Sequence, residues 1–147
     1  MKKIIFIITF TLVAISANAQ LNVKSVTKEK PKQIMSLQMA YSALYKFEDG
    51  YVIAMNTNNK FDKHQTLILL GDSLESALQT SKDLKEIIDT ETALVEVSQG
   101  GYDLTLTYQN NLGVKQLYVK QSGNAGFSWL TLKQIEKIIA YFESELG

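Results

Sequence analysis

"YDLTLTYQNNLGVKQLYVK", residues 102–120, decides the fold. Tyr102, Leu104, Leu106 and Tyr108 alternate with Asp103, Thr105 and Thr107, so the apolar side chains share one face of an extended strand. "NNLG" at 110–113 is turn chemistry, and "VKQLYVK" returns as a second strand. Strands joined by so short a connection run antiparallel, because a parallel pair needs a crossover of a dozen residues or more.

Working outward, "ALVEVS" at 93–98 is a strand and "QGG" at 99–101 a turn, so three strands precede the loop "SGNAG" at 122–126. A helix follows. Thr131 and Gln134 have capping-box spacing, and Leu130 is placed to staple onto Ile135. Ile135, Ile138, Ile139, Phe142 and Leu146 form its apolar stripe.

The first half gives the same order. Leu37, Met39, Tyr41, Ala43, Tyr45 and Phe47 recur at period two and predict one face of a strand running from Ser36. "EDG" turns the chain, with Gly50 supplying a positive φ, and Tyr51, Ile53 and Met55 line the return strand. "NTNNKFDKH" reads as a loop and "QTLILL" as a short strand. Leu74, Ala77, Leu78, Ser81, Leu84 and Ile88 then mark an amphipathic helix.

At an offset of 51, Gly50, Tyr51, Asn59, Gln65, Thr80, Lys82, Ile87 and Ile88 meet Gly101, Tyr102, Asn110, Gln116, Thr131, Lys133, Ile138 and Ile139. The expectation is an α+β fold: a mostly antiparallel sheet of five or six strands, helices near 73–89 and 131–146 on one face, and a candidate tandem βββα repeat.

The N-terminus bears on location. Lys2 and Lys3 precede the apolar run Ile4 to Ile15, and Ala17 and Ala19 supply the small-x-small pattern of a signal peptidase site. The run is shorter than the roughly 20 residues a membrane-spanning helix needs. It resembles the signal peptides of Bacteroidota, which often end in A-x-A before Gln. The reading is residues 1–19 as a cleaved signal peptide, 20–35 as a flexible N-terminal segment rich in lysine, and 36–147 as a single domain. The protein is then exported by a bacterium, to the periplasm or beyond, with no stable membrane insertion. With no cysteine there is neither a lipoprotein anchor nor a disulfide, so packing alone stabilises the domain.

All 15 basic residues are lysines, and removal of Lys2 and Lys3 leaves 13 against 15 acids, a net charge of −2. A chain without a basic excess or arginine forks is not built to bind nucleic acid.

"TLILLGDSLESALQ", residues 66–79, is similar to the nucleophile turn of GDSL-type esterases and lipases. That resemblance implies Ser73 as the nucleophile. The family's later D-x-x-H and G-x-N-D blocks are missing, and the one histidine, His64, lies upstream. A serine hydroxyl without a base is a poor nucleophile. The same letters start a helix, with Asp72 as N-cap and Glu75 completing the box.

Other chemistry is sparse. "NTNNKFD" offers Asn56, Asn58, Asn59 and Asp62 as oxygen donors but one carboxylate, and an EF-hand loop needs several. One histidine and no cysteine do not make a common zinc site. Glu48 with Asp49 and Glu143 with Glu145 read as solvated neighbours at a hairpin tip and a helix end. No cofactor is implied. "GNAGFSWLT" places Phe127 and Trp129 between glycines and a helix start, and these two are the candidate ligand or partner contacts. The sequence therefore points to a non-enzymatic module that binds a protein, peptide or surface ligand. The competing expectation is a small-molecule or lipid carrier with an apolar pocket between sheet and helices.

Overall fold

The computed structural model describes residues 30–38, 42–62 and 64–147; the expected signal peptide and most of the lysine-rich segment lie outside them. The first half runs β1 (Lys32–Gln38), β2 (Ser42–Phe47), β3 (Gly50–Asn56), β4 (Gln65–Gly71) and α1 (Leu74–Asp89). The second runs β5 (Val95–Gln99), β6 (Tyr102–Asn111), β7 (Val114–Gln121), β8 (Ser128–Thr131) and α2 (Leu132–Leu146). The fold is α+β, with two antiparallel four-stranded meanders, β1-β2-β3-β4 and β5-β6-β7-β8.

One sheet of five or six strands is thus replaced by two sheets of four. Two segments explain the difference. Within the period-two run from Ser36 to Phe47, residues 36–38 end β1 and 42–47 form β2, while Met39 and Tyr41 lie outside the described residues. Residues 128–131, between the loop at 122–126 and the helix, form β8, which is too short for alternation to be visible.

Period two also had the wrong phase in β2. A two-residue turn pairs Phe47 with Gly50, and so sets Leu44 opposite Ile53 and Ser42 opposite Met55. Facing residues carry opposite parity, so if Tyr51, Ile53 and Met55 point inward the even residues of β2 must do so too. Leu44 is fully buried, while Tyr45 on the other face is only half-buried.

The sheets meet without a shared ladder. The outer edge of β4 is satisfied by glutamine side chains from the second sheet. Gln121 Oε1 accepts from the Leu67 N–H at 2.9 Å, and Gln99 Oε1 from the Leu69 N–H at 3.2 Å. Gln99 Nε2 donates to the Leu67 carbonyl at 2.6 Å. Two side-chain amides thus do for β4 what a neighbouring strand would do, and blunt an edge otherwise open to foreign pairing.

A single core joins all four parts. Leu44 and Ile53 from the first sheet, Leu117 and Leu130 from the second, and Ile87 and Phe142 from the helices are all buried in it. Phe142 meets Tyr51 edge-to-face at 5.0 Å. The helices lie along each other, α1 against β4, while Gln134 Nε2 of α2 reaches the Leu37 carbonyl of β1 at 3.3 Å.

The two helix starts differ in how far local sequence predicts them. Thr131 caps α2 with Gln134 in the reciprocal box the spacing implies. At α1 the N-cap is Ser73, not Asp72, and the box closes through Ser76, not Glu75. Gly71 allows the close approach: its φ is 150° and a Cβ there would sit 2.1 Å from Ser76 Oγ, the hydroxyl that closes the box. Asp72 keeps a secondary role, its Oδ1 accepting from Ser76 Oγ at 3.3 Å.

The identities at an offset of 51 fall on non-equivalent elements. They join β3 to β6 and β4 to β7, yet Thr80 lies inside α1 and Thr131 caps α2. Matched in order, Ser42 of β2 corresponds to Tyr102 of β6 at an offset of 60, and Leu74 to Leu132 at 58.

Candidate functional site

Two connections converge at one end of the molecule: the loop after β3, from residue 57, and the loop 122–127 between β7 and β8. Both are rich in Asn, Asp and Gly, whose short side chains bond to nearby backbone. The Asn58 and Asp62 side chains reach across to the other loop. The Asn58 N–H donates to the Phe127 carbonyl at 2.8 Å, and the Phe127 N–H returns a bond to Asn58 Oδ1 at 3.0 Å. Asp62 Oδ2 accepts from the N–H groups of Ala125 and Gly126 at 3.0 and 3.4 Å. Ser128 Oγ donates to the Asn56 carbonyl at 3.0 Å.

The approach is close enough to demand glycine. A Cβ on Gly126 would lie 2.7 Å from Asn58 Oδ1 and 3.0 Å from the Asn59 nitrogen. Lys120 braces the same loop from below, its Nζ donating to the carbonyls of Asn124 and Gly126 at 2.6 and 2.9 Å.

Asp62 is the keystone. Its side chain is 3 % exposed, and Oδ1 accepts from both the backbone and the ring Nδ1 of His64 at 3.0 and 3.1 Å. The His64 N–H, then the His64 ring and the Gly126 and Ala125 N–H groups, hold its carboxyl down at about 2 against the opposing cost of burial.

Phe127 and Trp129 are both half-buried. Phe127 stacks on Tyr118 of β7 with centroids 4.8 Å apart, and Trp129 lies tilted 6.3 Å from Phe127. Trp129 stands on β8 directly opposite Tyr118. The alternation that buries Ser128 and Leu130 turns Trp129 to the outer side of the sheet. The two residues are therefore neighbours in one aromatic cluster, but on a strand and its lead-in rather than a free loop.

Beside Trp129 lies a groove of about 510 Å³ lined by Gln38, Ser42, Asn56, Thr57, Asn58 and Lys60 as well. Asn56 and Asn58 stand out in the sequence only as oxygen donors, and nothing local marks Gln38, Ser42, Thr57 or Lys60. Gln38 and Ser42 come from β1 and β2, Asn56 to Lys60 from β3 and its loop, and Trp129 from β8. The legible signal is the density of side-chain acceptors in 56–62.

The other candidates are spent on structure. Asn58, Asn59 and Asp62 use their oxygens on the N–H groups of Phe127, Phe61, His64, Ala125 and Gly126. Among the described residues no three His, Asp or Glu side chains gather as metal ligands. Ser73 Oγ lies 3.0 Å from Ser76 Oγ and accepts from the Ser76 N–H at 3.2 Å. His64 precedes β4 and Ser73 follows it, so a seven-residue strand separates them, roughly 20 Å at ~3.3 Å per residue. No described helix is long and apolar enough to cross a membrane.

No family model, curated protein or solved structure matches the chain.

Proposed function

We propose that the protein is an exported, non-enzymatic binding module whose contact surface is the groove beside Trp129. The observation that carries this reading is the groove itself, an aromatic ring facing a row of amide and hydroxyl side chains on loops already cross-bonded. A site fixed before the ligand arrives loses little entropy on binding. Ser73, the one residue with a catalytic resemblance, is occupied as a helix cap. The buried cluster of Leu44, Ile53, Ile87, Leu117, Leu130 and Phe142 favours an outer contact surface over an interior carrier pocket.

The test is a ¹⁵N-resolved NMR titration of the protein with fractionated polysaccharide and protein from the envelope and medium of the producing cell. Shifts confined to the backbone amides of 56–62 and 124–129 support the reading. Shifts elsewhere, none from any fraction, or turnover of the bound material count against it.

A tandem origin is the second element of the proposal. It rests on the matching order of four strands and a helix in each half, rather than on the identities at 51. Superposing 32–89 on 95–146 tests it, and unrelated strand packing would end it.

A further inference from the structure

We infer that the groove beside Trp129 takes a neutral saccharide, an assignment that rests on the binding-module reading above. Three features carry it.

The first is the balance of the lining. Gln38 and Asn58 carry amides, and Ser42 and Thr57 carry hydroxyls, so the wall offers both donors and acceptors. Sugar hydroxyls are themselves both, and an amide can give and take with adjacent hydroxyls at once. Asn58 Oδ1 is fixed by the Phe127 N–H, which leaves its amide nitrogen as an oriented donor. Gln38 Oε1 accepts from Gln134 Nε2 at 3.4 Å, which likewise leaves its amide nitrogen as the donor.

The second is Ser42. It is 6 % exposed, it lines the groove, and its hydroxyl has no hydrogen-bond partner among the described residues. A buried hydroxyl without a partner costs on the order of 1–3 kcal/mol. A ligand hydroxyl seated against it removes that cost, which an apolar ligand would not.

The third is the aromatic wall. Trp129 presents a broad apolar face, and the C–H face of a pyranose ring covers such a surface while its equatorial hydroxyls reach the amides around it. Charge fits the same class. Among the described residues the one charged lining residue is Lys60, and its Nζ already lies 5.0 Å over the Phe61 ring. Among those residues no carboxylate faces a cationic ligand and no second cation gathers an anionic one.

The test uses the emission of Trp129, the single tryptophan, in the purified protein. Cellohexaose, chitohexaose and maltohexaose are the neutral probes, with a neutral glycan array for breadth; trigalacturonate is the acidic control. The expected result is a saturable change in Trp129 emission with a neutral oligosaccharide, weakened about tenfold or more by Trp129→Phe. In Trp129→Phe, binding is followed by calorimetry and unchanged thermal unfolding certifies the fold. Silence across the neutral array overturns the proposal, as does a preference for trigalacturonate that Lys60→Gln abolishes. If the array is silent while a protein fraction shifts the amides of 56–62 and 124–129, the saccharide falls and the binding module stands. If nothing shifts them, both fall.

Discussion

Asp62 Oδ2 accepts the backbone N–H of Ala125 at 3.0 Å, across 63 positions of chain. With the His64 bonds on Oδ1, this one carboxylate ties the loop after β3, which supplies Thr57, Asn58 and Lys60 to the groove, to the loop before β8. Its folded pKa of about 2 lies below the ordinary 3.8. Asp62 therefore stabilises the fold fully above about 3.8, and that contribution fades as pH falls and is gone below about 2. Denaturant titrations between pH 5 and 2 should show Asp62→Asn losing this part of the acid sensitivity. An unchanged pH slope in the variant would remove Asp62 from its keystone role.

Gly126→Ala tests the same junction by steric means. The new methyl would lie 2.7 Å from Asn58 Oδ1 and 3.0 Å from the Asn59 backbone nitrogen, so one loop must move. Faster hydrogen exchange at the Asn58 and Phe127 amides is expected, with a loss of about 1–3 kcal/mol typical of overpacking. The core amides of β3 and β6 should keep their protection.

At the start of α1, Ser73→Ala should cost about 1 kcal/mol, because it removes the side chain that caps the Ser76 N–H. Asp72→Ala should cost less, since Asp72 contributes only a 3.3 Å bond to the Ser76 hydroxyl. Urea denaturation of the two variants orders them. A fluorophosphonate probe should leave Ser73 unlabelled; labelling there would revive the nucleophile.

Gln99→Ala should be among the more damaging polar substitutions. It strands the Leu69 N–H on a half-buried strand edge and leaves the Leu67 carbonyl only the long 3.5 Å bond from the Tyr102 hydroxyl. An unpaired buried group costs about 1–3 kcal/mol. Chemical denaturation measures the loss, and light scattering should detect association through the uncovered β4 edge.

Asp83 titrates in the opposite sense to Asp62. It is 2 % exposed on α1; Gln79 donates to its Oδ1 at 2.9 Å, and its Oδ2 has no partner among the described residues. Burial pushes its carboxyl above 3.8, with Glu86 adding to the rise. A raised folded pKa gives stability that is whole below 3.8 and lost as pH rises through the folded value. Asp83→Asn keeps an oxygen for Gln79 and removes the buried charge, so it should be more stable than the wild type at pH 7 and indifferent at pH 3. Thermal melts at the two pH values decide this.

Much of the architecture was legible because it depends on neighbours in sequence. The hairpin at 102–120, the stripes of both helices and the Thr131–Gln134 box need only local spacing. The phase of β2 was not legible from its own residues. It follows from the turn that pairs Phe47 with Gly50, since one residue of register flips every side chain. The candidate site was half legible: Trp129 and Phe127 stand out as aromatics in a glycine-rich stretch and Asn58 in a run of side-chain acceptors, whereas Gln38 and Ser42 carry no local mark.

By itself the sequence determined an α+β chain of antiparallel hairpins and two capped helices, because period and capping are set within a few residues. Only the tertiary structure decided that the strands divide into two sheets and that β4 is closed by Gln99 and Gln121. Only there do Asn58 and Asp62 meet Phe127 and Ala125. These contacts join residues 30 to 69 positions apart. A side-chain amide has no periodicity to announce its partner, so the pairing exists only once the two sheets have packed on one core.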